Sequence, residues 1–367
     1  MTEKTIGIIA APEFSTEVAN QLKEELPSIL KNKISEDISW QIEITTDGIT
    51  SVAENYDVLL NSVLNKQEHQ NWDFTLCLTD VPSFFENETS LARVHLDHDT
   101  AFLSLPALGW FVRKRVTHTA VHLIEDLYYK NSSSSNKEDF NQIFRIHNIQ
   151  TVTKDKIIRY LFSSKLSGRL TILIGMTYDN QPWTIMPSLK SVIAIAFGSG
   201  AYGMISPTLW QLSYAYSPWR LVTLTLLAIL SLTVWIIQGH NLWESDSMSN
   251  NPEYKILYNA TTSLTLFIAI SFFYVILVFL FLGTAFVLVD PTYYAQSLGI
   301  SGTPHLLHYL QLALMTASVG TITGAVGVGL EEDENVRDAT YGYRQRSRYD
   351  LLKQARAEDE NDEDNTE

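Results

Sequence analysis

One cysteine, Cys77, stands in a chain of 367 residues, which excludes an intrachain disulfide framework. It lies in the apolar run Phe74-Thr-Leu-Cys-Leu78, where a buried, inert thiol is expected rather than a nucleophile. Positive charge is also scarce: 26 Lys and Arg face 41 Asp and Glu, for a net charge of −15. Binding a phosphate backbone needs a concentrated basic surface, so no nucleic acid is expected as a partner. The acidity identifies no substrate either. It is concentrated in Glu331-Glu-Asp-Glu334 and in the segment Glu358–Glu367, and like-charge runs of this kind form solvated tails. The opening MTEKTIGIIAAPEF has neither the basic stretch nor the long apolar core of a secretory signal. The N-x-S/T matches at Asn87, Asn131 and Asn259 are therefore expected to go unmodified.

Mean hydropathy is close to zero, yet that average joins two unlike halves. Charged residues are frequent up to about Thr184 and thin out sharply from Pro187 to Leu330. A helix needs about 20 apolar residues to cross a hydrocarbon core. Four segments meet that description: 188–210, 221–238, 263–289 and 306–330. Ser263–Val289 contains no charged residue, whereas Ser188–Trp210 contains glycines and Pro207 and leads through Tyr216-Ser-Pro-Trp219 into the next span. An all-α domain of four transmembrane helices is expected over residues 187–330. Trp183, Trp210, Trp219, Tyr258 and Tyr293 sit near the span ends, as interfacial aromatics do. Lys154, Lys156, Arg159, Lys165 and Arg169 precede the spans and Arg337, Arg344, Arg346, Arg348, Lys353 and Arg356 follow them, while Asp290–His305 has no Lys or Arg. Positive residues favour the cytoplasm, so a multi-pass protein of the cell membrane with both termini cytoplasmic is expected.

Gly198-Ser-Gly-Ala-Tyr-Gly203 matches G-x-G-x-x-G by letter. A dinucleotide fingerprint needs a strand before it and a helix opening after it, and this match lies inside an apolar helix. Gly198, Gly200 and Gly203, with Gly320 and Gly324, are read instead as helix-packing positions or as a contact between copies in a homo-oligomer. No Asp, Glu, Lys, Arg or His falls in the middle of a span, which removes the usual device of ion-coupled pumps.

The first 130 residues alternate strand and helix patterns: Thr5–Ala10, Ser15–Lys33, Ser39–Thr45, Thr50–Gln67, Asp73–Leu78, two short apolar runs at Ala92–Leu96 and Ala101–Leu105, then a helix over Ala107–Lys130. Such alternation predicts a Rossmann-like α/β domain with a parallel sheet. Residues 131–186 form a linker that begins with a break at Asn131–Asn136 and includes a basic amphipathic helix over Thr153–Leu166 near the lipid headgroups. Residues 331–367 form a charged cytoplasmic tail.

Ligands bind such sheets beyond the carboxyl ends of the strands, where Glu13, Ser15, Asp47, Thr79 and Asp80 fall. Asp80 is the foremost candidate for a catalytic carboxylate, set against a plain turn role in Thr-Asp-Val-Pro. The first strand–helix turn, Ala10-Ala-Pro-Glu-Phe-Ser15, has no glycine to admit a pyrophosphate. His95 and His98, with His118 and His122 at i, i+4 spacing, are the candidate metal ligands. No glutamate follows His118, so the zinc-protease pattern is missing and no metal is assigned.

Several strings look familiar together: Trp72-Asp-Phe-Thr-Leu-Cys-Leu-Thr-Asp80, Ser104-Leu-Pro-Ala-Leu-Gly109, Asn180-Gln-Pro-Trp183, Tyr258-Asn-Ala-Thr261 and Ala339-Thr-Tyr-Gly-Tyr-Arg-Gln-Arg346. They resemble a family of uncharacterised multi-pass membrane proteins of Gram-positive bacteria. Some such chains carry a methylenetetrahydrofolate dehydrogenase label, and that enzyme family uses a Tyr-x-x-x-Lys pair in its N-terminal domain. Here the pair occurs only as Tyr349–Lys353 in the tail, so the label is not carried over. The reading preferred from sequence is a membrane-anchored module that senses a small-molecule or protein ligand through its N-terminal domain. The alternatives are a membrane-bound enzyme acting on a nucleotide or lipid-linked substrate, and a passive channel or exporter component. No cofactor is identified, and the lipid bilayer is the one expected partner common to all three.

Overall fold

The computed structural model describes residues 2–48, 50, 56–86, 88–130, 149–243 and 252–330. The Asn131–Asn136 break and the 331–367 tail lie outside the described residues. The chain divides into two compact units, the first running through Asp179 and the second beginning at Asn180.

The first unit carries the strands β1 (Thr2–Ala10), β2 (Ile38–Thr46), β3 (Phe74–Thr79), β4 (Ser83–Phe85), β5 (Glu88–His95), β6 (Thr100–Ser104), β7 (Ile149–Lys154) and β8 (Ile157–Phe162). Its helices are α1 (Phe14–Lys33), α2 (Tyr56–Gln70), α3 (Val112–Tyr129) and α4 (Lys165–Asp179). The strands form one sheet in the order β2-β1-β3-β6-β5-β8-β7, with β4 beside β5. Ile9, Cys77 and Phe102 meet Leu59 and Val63 of α2 on one face. Trp72, just after α2, lies so close to the backbone of Gly7 that a Cβ there would come within 1.9 Å of the indole.

The expected parallel sheet is half of the truth. β2, β1, β3 and β6 are parallel, but β4, β5, β7 and β8 pair antiparallel. Loop length decides this. A parallel crossover needs a dozen or more residues, whereas β5 reaches β6 through Leu96–Asp99 alone. The expected amphipathic helix over Thr153–Leu166 is likewise replaced by the β7–β8 hairpin. Asp155 and Lys156 both take positive φ, 53° and 59°, which is the two-residue turn that matches strand twist. The first unit therefore does not end at Lys130: β8 pairs with β5, and α4 packs onto the same unit through Gly168 against Thr89 and Gly175 against the Pro106 carbonyl. The helix expected over Ala107–Lys130 is also shorter. A 3₁₀ segment, Leu105–Phe111, precedes α3 and kinks at Gly109, whose φ of 69° suits glycine.

The second unit contains α5 (Lys190–Met204), α6 (Pro207–Ala215), α7 (Pro218–Gly239), α8 (Pro252–Leu288), α9 (Pro291–Leu298) and α10 (Leu306–Gly324). Three stretches are long and apolar enough to cross a membrane: Pro218–Gly239, Glu253–Leu288 and Leu306–Gly327. The expected span 188–210 is not one straight helix. It is divided between α5 and α6, which meet at 93°. Pro207 has no N–H to continue a helix and pushes the preceding residue out of helical geometry, and Ser206 is extended at φ −80°, ψ 122°. At 1.5 Å per residue α5 is about 22 Å long, short of a hydrocarbon core of about 30 Å.

Large apolar side chains point outward from this unit: Val287 is 83% exposed and Phe279 68%. Its interior is closed by Leu266, Phe273, Leu277 and Phe281 of α8 against Ala196, Leu232 and Leu312. Such an outward apolar surface fits a lipid environment, where small residues rather than water exclusion bring helices close. A Cβ on Gly320 would lie 2.7 Å from the Ala196 carbonyl oxygen and one on Gly200 2.3 Å from Phe281, and Gly324 packs on Ala196 and Val192. Gly198 and Gly203 have nothing within 4 Å of that position.

Gly320→Ala forces α5 and α10 apart at backbone, an overpacking cost of about 1–3 kcal/mol. Thermal unfolding in detergent is expected to show a clear drop for Gly320→Ala and no drop for Gly198→Ala.

Candidate functional site

β1 lies between β2 and β3, so the chain leaves it toward one side through α1 and comes back on the other side through α2. Sheets of this order open a crevice beyond the carboxyl ends of the strands at that reversal. Glu13 sits there on the β1–α1 turn, exposed, with φ 65° and ψ −119°, a conformation costly for any residue with a Cβ. Its carbonyl accepts the N–H of Thr16 at 3.0 Å and of Glu17 at 3.1 Å, starting the helix. The Thr16 hydroxyl donates to the Ala11 carbonyl at 2.8 Å, which fixes the turn. Ser15 is fully buried, and its Oγ has no hydrogen-bond partner among the described residues.

The other edge candidates are tied into the structure. The Asp47 N–H donates to the Ala10 carbonyl at 2.9 Å, and its carboxylate pairs with Lys66 at 2.8 Å. The Thr79 hydroxyl donates to the Thr50 carbonyl at 2.6 Å and accepts from the Val81 N–H. Ser104 Oγ donates to the Val81 carbonyl at 3.0 Å. Asp80 is only 2% exposed. Burial raises the Cys77 thiol pKa, and the Asp47 and Asp80 charges raise it further, so Cys77 stays a protonated thiol. The structure thus gathers Asp47, Thr79 and Asp80 at the ends of β2 and β3, with Glu13 and Ser15 on the turn beside them.

The histidines do not converge. His95 is buried on β5, and His98 is exposed beyond it with their rings 6.2 Å apart. His118 is exposed on α3, while His122 is buried and lies 3.2 Å from the Tyr160 hydroxyl. Among the described residues no group of three or more His, Cys, Asp or Glu could hold a metal ion. Lysines take the neighbouring carboxylates instead: Lys156 pairs with Asp97 at 2.7 Å and Lys130 with Asp99.

Three groups escaped the sequence reading. His95 Nε2 lies 2.5 Å from the Tyr56 hydroxyl. Burial, and then the positive fields of His98, Arg93 and Arg159, depress the His95 pKa to about 4, so the neutral ring accepts the phenol proton. On the opposite face Tyr160 donates to the buried Asp126, and burial together with Asp126 keeps that phenol protonated. Arg93 and Arg159 form the third group, as cross-strand neighbours on β5 and β8. The alternation of Arg93 and His95 along one strand was the available signal, since residues two apart share a face. An open hollow of about 590 Å³ lies elsewhere, lined by Leu64, Gln67, Glu68, Asn71, Trp72, Asp73 and His98.

The depressed His95 pKa has a definite sign. The unfolded chain takes up a proton as pH falls below 6.5, while the folded chain resists until about 4, so stability declines across that window. His95→Gln is expected to flatten the fall in melting temperature between pH 6.5 and 5, where most carboxylates remain ionised.

Comparison with protein-family models, with curated proteins and with solved structures finds no match.

Proposed function

We propose that the protein is a membrane-anchored binding module. Its Rossmann-like half takes a small ligand at the crevice beyond β1 and β3, and its helical unit serves as the anchor. The observation that carries this reading is the β1–α1 turn. A glutamate is held in a backbone conformation suited to glycine, two residues before a buried serine hydroxyl that has no hydrogen-bond partner among the described residues. Strain of this kind persists where the surrounding structure over-determines it, and it concentrates at ligand sites. With Glu13 exposed on the turn, Asp80 at the end of β3 and Asp47 already paired with Lys66, the ligand chemistry that fits is an amine or a hydroxyl-rich molecule rather than a phosphate.

The anchor reading draws on α4. Leu166, Leu170 and Ile174 follow one another at i, i+4 spacing and are 70%, 49% and 40% exposed. Trp110 and Phe111 are also half-exposed, Trp110 packs on Tyr178, and Lys165, Arg169, Arg113 and Lys114 are exposed nearby. An apolar stripe with aromatics and flanking bases suits a headgroup layer. For the helical unit we propose that the bent α5–α6 pair crosses the bilayer, which puts the first unit inside and the Asp290–His305 segment outside.

Two experiments test these statements. Glu13→Gly relieves about 1–3 kcal/mol of strain against an entropic loss of roughly 0.5–1 kcal/mol. It is therefore expected to raise the melting temperature while weakening the response to ligands found in a metabolite thermal-shift screen of the full chain. An empty screen together with an empty pull-down would remove the binding reading. For topology, Cys77 is buried and gives little background, so Ser301→Cys should react with an impermeant thiol reagent on intact cells while Lys114→Cys does not. Protection of both would make α5–α6 a re-entrant hairpin.

A further inference from the structure

The face of the sheet that α2 covers over β1, β3 and β6 continues across β5 and β8, and there it carries two arginines. Arg93 and Arg159 are direct Cα partners in the antiparallel ladder, so their Cβ atoms are roughly 5 Å apart. Like charges so placed repel each other and destabilise a sheet. Neither is a freely solvated surface residue: Arg93 is 9% exposed and Arg159 is partly buried.

Aromatic rings offset part of the cost. Phe85 lies beneath both guanidiniums, 4.4 Å from that of Arg159 and 5.6 Å from that of Arg93, and the Tyr56 ring lies 4.3 Å from Arg93. Arg93 Nη2 also donates to the Phe84 carbonyl at 2.6 Å. Arg159 Nε and Nη1 are buried and have no hydrogen-bond partner among the described residues. Desolvated guanidinium donors without an acceptor are expensive, and a guanidinium offers its N–H groups in a plane that suits the oxygens of a phosphate. The field of the pair is felt by its neighbours, since both arginines lower the pKa of His95.

We infer that Arg159 and Arg93 form an oxyanion site on the sheet face that takes a phosphate group, with Phe85 holding the two guanidiniums in place. The site is separate from the acidic carboxyl edge and does not depend on the reading proposed for it. The phosphate could come from a soluble metabolite or from a lipid headgroup, and the experiment distinguishes the two.

The test is calorimetric titration of the full chain in detergent with inorganic pyrophosphate and, separately, with a short-chain phosphatidate. Saturable binding of either probe is expected, and the probe that binds identifies the source. Arg159→Gln removes the charge and its charge-assisted donors and should weaken that binding about tenfold to a hundredfold. Arg159→Lys keeps the charge without the fork and should weaken it less. Two results would overturn the inference: no saturable binding of either probe to the unmodified chain at millimolar concentration, or equal affinity in the unmodified chain and Arg159→Gln. The first of these stands even if a variant fails to fold.

Discussion

Wherever water is excluded, each backbone N–H and C=O must find its partner within the chain, and much of this architecture follows from how that demand is met. The break between α5 and α6 shows the constraint at its tightest. Pro207 ends the hydrogen-bond ladder, and the Met204 carbonyl left over there accepts the Trp210 indole N–H at 2.6 Å. The turn is closed further by Ile205 and Ser206 N–H groups bonded to Tyr202 and Gly203 carbonyls. A sharp bend within an apolar stretch is therefore compatible with a low-dielectric setting. Further along, the Tyr274 hydroxyl lies 2.9 Å from Ser318 Oγ and 2.8 Å from Thr225 Oγ1, and reaches the Leu314 carbonyl at 3.0 Å. That links α8 to both α7 and α10 without any charged group.

The same accounting governs the sheet. Four parallel strands alone would leave β6 with an open edge, and such an edge invites pairing with other chains. β5 pairs with β6, β8 with β5 and β7 with β8, moving the exposed edge out to a strand that carries Thr151, Thr153 and Lys154. The extension also creates chemistry. Once β8 lies beside β5, register decides which side chains meet, and it brings two arginines together.

Much of the coarse plan was legible in the sequence, because periodicity is local. The strand–helix alternation through β3 and the apolar runs of α7, α8 and α10 can each be read from their own residues. The rest depended on distant partners. Nothing within Thr153–Leu166 shows that its basic residues alternate across a strand instead of lining a helix, because two non-glycine residues at positive φ form the turn. The Gly198–Gly203 motif looked uniform, yet Gly200 faces Phe281 while Gly198 meets nothing, a difference set by neighbours remote in sequence. The histidines stood close together along the chain, but His95 and His122 point into contacts on opposite faces of the sheet.

Charge is segregated within the first unit, and that separation bears on what it can bind. The carboxyl edge gathers Glu13, Asp47 and Asp80, and its turn, Ala10-Ala-Pro-Glu-Phe-Ser15, offers no glycine. Lys66 pairs with Asp47 at that edge, whereas Arg93 and Arg159 lie on the sheet face, across β5 and β8. A dinucleotide bound in the usual manner of an open α/β sheet would need its phosphates at the helix N-terminus beyond β1, where the exposed residue is a glutamate. The two proposals therefore concern chemically distinct surfaces of one sheet: a strained edge that carries Glu13, and a partly buried guanidinium pair. A single ligand spanning both would have to pass Phe102 and the Tyr56–His95 contact, where the Tyr56 and Phe102 rings are 5.2 Å apart. That aromatic contact stands between the two proposed surfaces.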